Sequence, residues 1–179
     1  LALMRLMTDN GEVDHLVPER VWQELSRGLM ETRPSRMLEV LHACGALAKV
    51  LPELDRLFGV PQPAEHHPEN DTGAHILRVV DQAAARRFPL PVRFAALLHD
   101  LGKGATPHAE WPHHHGHEAT GAALAEAVSE RLRAPADCRD LAVLAAREHG
   151  IIHDAASLCP ATVVKLLERP PAPTAALRE

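Results

Sequence analysis

The chain is 179 residues long, enough to bury a core as one domain or two small ones. A formal charge of -5 argues against a general polyanion binder, and two Trp, three Phe and no Tyr leave little for a base-stacking surface. Three scattered cysteines (Cys44, Cys138, Cys159) form no CxxC pair, which argues against a thiolate zinc site or a disulfide framework and fits a reducing cytoplasm. No apolar run approaches the ~18 residues of a membrane span, and the N-terminus lacks the marks of a signal peptide.

Nearly every segment reads as helix. The opening LALMRLM has the look of a helix tail. Pro18 suits the first position of a helix with Val21, Trp22, Leu25 and Leu29 on one face. A second helix follows Pro34-Ser35, carries Met37, Leu38 and Leu41, and stops near Gly45. A third holds Leu47, Leu51, Leu54, Leu57 and Phe58, with Pro52 limiting its regularity. GVPQPAEHHPENDTG then breaks the pattern, as a boundary or a functional loop.

Periodicity is clearer beyond it. Asp71-Thr72 caps a helix with Ile76, Val79, Val80 and Ala83 inward. Pro91 starts VRFAALLHD, which Gly102 and Gly104 end with tight turns. Leu124, Val128 and Leu132 mark the next helix, and Pro135 opens another striped by Cys138, Leu141, Ala142 and Ala145. A last helix after Pro160 carries Val163, Val164 and Leu167, before a tail, RPPAPTAALRE, expected to be disordered. No stretch alternates long enough for a strand, so the expected fold class is all-α. The expected division is a helical segment over 1–60, a second helical unit over 61–168 and the tail over 169–179.

Nine of the 13 histidines fall between His66 and His117. Residues three and four apart share a helix face. By that spacing His75 extends the stripe of Val79, His99 follows Ala95, His117 precedes Gly121, and His149 follows Ala145. Gly121 would allow a close backbone approach. A lone inward histidine is ordinarily a core residue bonded to a carbonyl. Four on separate helices, beside the dipeptide His99-Asp100, point instead to a shared ligand set, since imidazole can be buried neutral with a lone pair to offer. His113, His114 and His115 read equally as a solvated loop beside Trp111-Pro112 or as contacts to the metal or behind its ligands. His66 and His67 resemble them, with Glu69 and Asp71 placed to orient a ligand. His15, His42 and His108 read as surface residues.

In HDLGKG, Lys103 taken alone reads equally as a solvated lysine near a helix C-terminus or as a mobile cation beside the metal carboxylate, suited to a phosphate oxygen. A His/Asp metal site with an adjacent lysine points to phosphate-ester hydrolysis, with Asp100 and Lys103 as the catalytic pair.

These residues carry a resemblance. The stretches NGEVDHLVPERVW, LHACGALAKVLPELDRLFGVPQPAEHHPENDTGAHIL, VRFAALLHDLGKG and EWPHHHGHEATGA resemble the HD superfamily of metal-dependent phosphohydrolases. More closely, they are similar to the middle and C-terminal part of bacterial multifunctional CCA-adding enzymes, the tRNA nucleotidyltransferases. HDLGKG alone indicates only the superfamily; the longer stretches are more specific.

The resemblance implies a neck and body segment up to about Leu57 and an HD domain from about His67. It implies metal-dependent phosphatase, 2'-nucleotidase and 2',3'-cyclic phosphodiesterase activity with one or two nickel, magnesium or manganese ions. By the same match His75, His99 and Asp100 are the first metal ligands, and His117 and His149 complete a second site or the same one. His67, His114, His115 and Asp154 are candidates for contacts behind the ligands or to substrate. Asp154 is the nearest substitute for a late aspartate ligand, because His149 is followed by Gly150. The chain has neither a Gly-Ser dipeptide nor a D-x-D pair, so CCA addition is not expected of it.

The expected partners are tRNA or a nucleotide phosphoester and a second copy in a homodimer. Two other readings compete: a non-catalytic helical module that positions tRNA, and a histidine-rich store of many weak metal sites. No residue is assigned to tRNA binding, since acids outnumber the bases near Arg20, Arg27, Arg33 and Arg36.

Overall fold

The computed structural model describes residues 1–63 and 69–153. Its helices are α1 (Ala2–Asp9), α2 (Pro18–Met30), α3 (Ser35–Ala43), α4 (Ala46–Val50), α5 (Pro52–Asp55), α6 (Thr72–Ala85), α7 (Leu90–Leu98), α8 (His117–Leu132) and α9 (Ala136–His153). Short 3-10 turns cover Glu12–His15, Leu101–Ala105 and His108–Glu110. Among the described residues the only β pairing is a single bridge between Pro61 and Asp71, so the fold is all-α. None of the described helices is long and apolar enough to cross a membrane. The helix expected after Pro160 and the 169–179 tail lie outside the described residues.

The stripes pack as their periods dictate. Leu25 and Leu29 of α2, Leu38 of α3, Ile76 and Val80 of α6, and Phe94, Leu97 and Leu98 of α7 are all buried. They join Ala122, Ala125 and Val128 of α8 and Ala142, Val143 and Ala146 of α9 in one hydrophobic cluster. The two stretches either side of residue 60 therefore share a core, with Trp22 edge-on to Phe94 at a centroid distance of 5.1 Å. The expected third helix is split. Pro52 lacks the N–H that would continue α4, and Leu51 sits at φ -137, ψ 66 between α4 and α5.

Two polar contacts across the chain fix helix ends. Asp81 on α6 reaches the start of α3, its carboxylate accepting from Ser35 N (2.9 Å) and Ser35 Oγ (2.7 Å). Arg93 on α7 is 5% exposed and closes α2, donating to the carbonyls of Leu29 (2.8 Å) and Glu31 (3.0 Å) and, through Nε, to Phe88 O (2.7 Å). A cation there satisfies carbonyls that have no partner within the helix and favours its negative end. Arg93→Met keeps the volume but loses those bonds. It should lower unfolding free energy by about 2–3 kcal/mol, measured by urea denaturation; an unchanged midpoint would contradict the capping role.

Candidate metal centre

The end of α7 builds the centre. α7 stops at Leu98, His99 caps it in αR geometry, and Asp100 turns into the Leu101–Ala105 segment at φ -108. That turn aims the Asp100 carboxylate inward, where the residue is 1% exposed. Leu101–Ala105 then packs against α8, and Gly102 makes this contact sterically possible. A Cβ on Gly102 would overlap the His117 carbonyl and come within 2.7 Å of the Gly121 nitrogen. Gly102 is thus required for backbone approach, not for the tight turn expected of it, since it does not adopt positive φ. Gly121 supplies the other half of the approach, as expected.

Four imidazoles from four helices surround Asp100. His99 Nε2 lies 3.3 Å and His75 Nε2 3.8 Å from its Oδ2. His149 Nε2 lies 3.1 Å and His117 Nε2 3.7 Å from its Oδ1. Two triads result, His75–His99–Asp100 and Asp100–His117–His149, each with ligand atoms within 4.8 Å of one another. Asp100 belongs to both.

The outer ring nitrogens determine what the inner ones can do. Nδ1 of His99 donates to Ala96 O (2.9 Å), that of His117 to His114 O (2.8 Å), and that of His149 to Ala146 O (3.1 Å) and Ala145 O (3.2 Å). Glu69 Oε2 stands 3.7 Å from His75 Nδ1. A neutral imidazole with its proton on Nδ1 presents a lone pair at Nε2. The Nε2 atoms of His117 and His149 are 3.1 Å apart, so two such lone pairs face each other unless a cation or a proton lies between them. Asp100 Oδ1 is buried and makes no hydrogen bond of acceptable geometry among the described residues, although two imidazoles are near it. A divalent cation would use all of these lone pairs. The residues present therefore fit a metal.

Electrostatics point the same way. Burial by itself raises an acid's pKa, but His99, His149 and Lys103 outweigh it and hold Asp100 well below the ordinary carboxylate range. Burial lowers the pKa of His75 and of His117, keeping them neutral. For His99, burial is overcome by the adjacent Asp100 carboxylate, and its pKa is raised.

The other expected site residues fall differently. Lys103 is not a mobile cation: it is 5% exposed, and Nζ donates to Asp100 Oδ2 (2.9 Å) and Gln62 Oε1 (3.1 Å). His114 is 1% exposed and acts as a strut, its ring bonded to Pro61 O (2.6 Å) and Thr106 Oγ1 (2.5 Å) while its carbonyl holds His117. His115 is exposed, stacks with His113 (centroids 6.0 Å apart) and belongs to neither Asp100 triad. Asp71 caps α6 through Ala74 N (2.8 Å) and also accepts from Gly59 N (2.6 Å). His66, His67 and Asp154 lie outside the described residues.

Sequence reasoning missed Gln62, Thr106 and the contact of Glu69 with His75. The first two are joined to the centre only through long-range or loop contacts and carry no periodic signal. Glu69 lies beside His66 and His67 in sequence, and nothing local signals that it faces His75.

Residues 64–176 match the HD domain family. The chain belongs to that family. Residues 1–58 match the family described as probable RNA and SrmB-binding site of polymerase A. The chain is 72% identical over 169 residues to the "Multifunctional CCA protein" of Azoarcus sp. (strain BH72), an alignment covering 94% of this chain and 41% of that protein. Identity to the protein of the same description from Aromatoleum aromaticum (strain DSM 19018 / LMG 30748 / EbN1) is 70%, with 94% and 42% covered. For Cupriavidus taiwanensis (strain DSM 17343 / BCRC 17206 / CCUG 44338 / CIP 107171 / LMG 19424 / R1) it is 64%, with 94% and 41% covered. The chain thus spans about two fifths of the length of the curated relatives it matches. No solved structure gives a significant match.

The Gly102–Gly121 contact yields a test of how this HD domain is assembled. Gly102→Ala should destabilise the fold by roughly 1–3 kcal/mol through overpacking and lower bound-metal stoichiometry by displacing His117. Urea unfolding and elemental analysis would read the two effects; wild-type values for both would refute the close-approach account.

Proposed function

We propose that the chain is the phosphohydrolase portion of a CCA-adding enzyme, acting on 2',3'-cyclic phosphodiesters, 2'-nucleotides or related phosphate esters. The observation that carries this reading is the convergence of four Nε2 atoms on a buried carboxylate. His75, His99 and Asp100 would hold a divalent ion (nickel, magnesium or manganese), and His117 and His149 would complete that site or, with Asp100, hold a second ion. Such an ion supplies positive charge that lowers the pKa of water toward ~7 and polarises a phosphoryl oxygen.

The chain's own residues do the rest. The backbone carbonyls behind His99, His117 and His149 keep their protons on Nδ1 and their rings in place. Lys103 neutralises Asp100 and brings a buried cation beside the centre, where low dielectric strengthens its pull on phosphoryl charge developing nearby. A cysteine nucleophile is a poor alternative: Cys138 is buried, and burial together with Asp137 pushes its thiol up to about 11. With the motifs for nucleotide addition lacking from the sequence, no CCA synthesis is assigned to this chain alone. We place the protein in the cytoplasm, where tRNA is processed.

Asp100→Ala should abolish hydrolysis of bis-p-nitrophenyl phosphate and reduce bound metal. Full turnover by that variant would remove the proposed site.

A second reading draws on the match of residues 1–58 to an RNA-binding region. On that reading the helical array positions tRNA and the histidine cluster is structural. Gel shifts with tRNA at several salt concentrations separate the two, because phosphate contacts weaken steeply with salt. Tight binding without metal-dependent turnover would favour the scaffold.

A further inference from the structure

A buried amide stands directly behind Lys103. Gln62 follows the Pro61–Asp71 bridge, is 3% exposed, and accepts from Lys103 Nζ through Oε1 at 3.1 Å. Lysine only donates, so the oxygen of the amide must face it and Nε2 is the end left over. That Nε2 is buried and has no hydrogen-bond partner among the described residues. Lys103 has three hydrogens to give and, among the described residues, meets two side-chain acceptors, Gln62 Oε1 and Asp100 Oδ2. Donors without acceptors thus accumulate one side chain away from the carboxylate that the four imidazoles surround. A buried donor left unmade is costly, and each such group calls for an occupant.

We propose that Gln62 Nε2 and Lys103 Nζ form an oxyanion site beside the metal centre that takes a non-reacting phosphoryl oxygen of the substrate. A tetrahedral oxyanion offers several acceptor oxygens, so one can meet the amide and the ammonium while another faces the Asp100 centre. The neutral amide adds donors without adding charge, which leaves the Lys103–Asp100 pair intact. The proposal rests on the hydrolase reading and extends it by a residue from the Pro61–Gln62 connector, which also anchors His114 through Pro61 O.

The probe is inorganic phosphate, tested on the full chain by calorimetric binding and by competition with bis-p-nitrophenyl phosphate, with metal content measured in the same samples. Gln62→Leu removes both the donors and the acceptor. Gln62→Glu keeps an acceptor for Lys103 and adds a negative charge, so it decides the matter if the leucine variant does not fold. Both should weaken phosphate binding about ten- to hundredfold, as expected for losing one hydrogen bond to a charged group. Metal stoichiometry should stay at the wild-type level. Wild-type phosphate affinity in Gln62→Glu with metal bound overturns the proposal, leaves the hydrolase reading standing and assigns the amide to a water. Loss of metal along with phosphate also overturns it, because Gln62 would then act only through Lys103 and Asp100. Wild-type protein that binds no metal removes the hydrolase reading itself, and the oxyanion site with it.

Discussion

A carboxylate that is 1% exposed governs this molecule. Burying an ionised aspartate costs several kcal/mol unless compensating charge and hydrogen bonds surround it. Among the described residues, Lys103 is the one full cation in contact with Asp100, on Oδ2, while Oδ1 faces imidazole nitrogens. Four helices are arranged so that each brings one ring to this carboxylate. The arrangement is worth its desolvation cost if the cluster binds a cation, and that is the basis of the functional reading.

The surrounding fold is organised to keep the rings in position. The close backbone contact of Gly102 with α8 brings His117 toward Asp100, and His114 ties the loop before α8 to Pro61. α9 packs on both α7 and α8, which carries His149 between His99 and His117 at centroid distances of 5.2 Å from each. Three of the four rings are oriented by main-chain carbonyls of their own or neighbouring helical turns, so orientation of those ligands depends little on mobile side chains. Arg93 and Asp81 hold the N-terminal helices against this unit, making the first stretch and the HD domain parts of one packed body.

Much of this was legible in the sequence because helical spacing is a local signal. The four-residue steps from Ala95 to His99 and from Ala145 to His149 put those imidazoles on stripes packed against the core, whereas Val79, four residues from His75, is only half-buried and Ile76 and Val80 carry the buried face of α6; the all-α class followed from the same periods. Asp71 as a cap was equally local. What could not be read came from contacts between distant residues. Lys103 looks like a solvated lysine near a helix end, yet a partner 41 residues away holds it inside. His114 sits between two exposed histidines and is itself buried, because a left-handed residue (φ 52) turns its ring toward Pro61. Gly102 has the sequence context of a turn former; only the position of α8 reveals that its missing side chain is what matters.

The most direct test of the account is calorimetric titration of nickel into metal-stripped wild-type protein. Saturation at one or two tight equivalents per chain is the predicted result, with affinity lost in the protein lacking the Asp100 carboxylate. A shallow isotherm with many weak equivalents, or no heat at all, would contradict the claim that these imidazoles and Asp100 form a metal site.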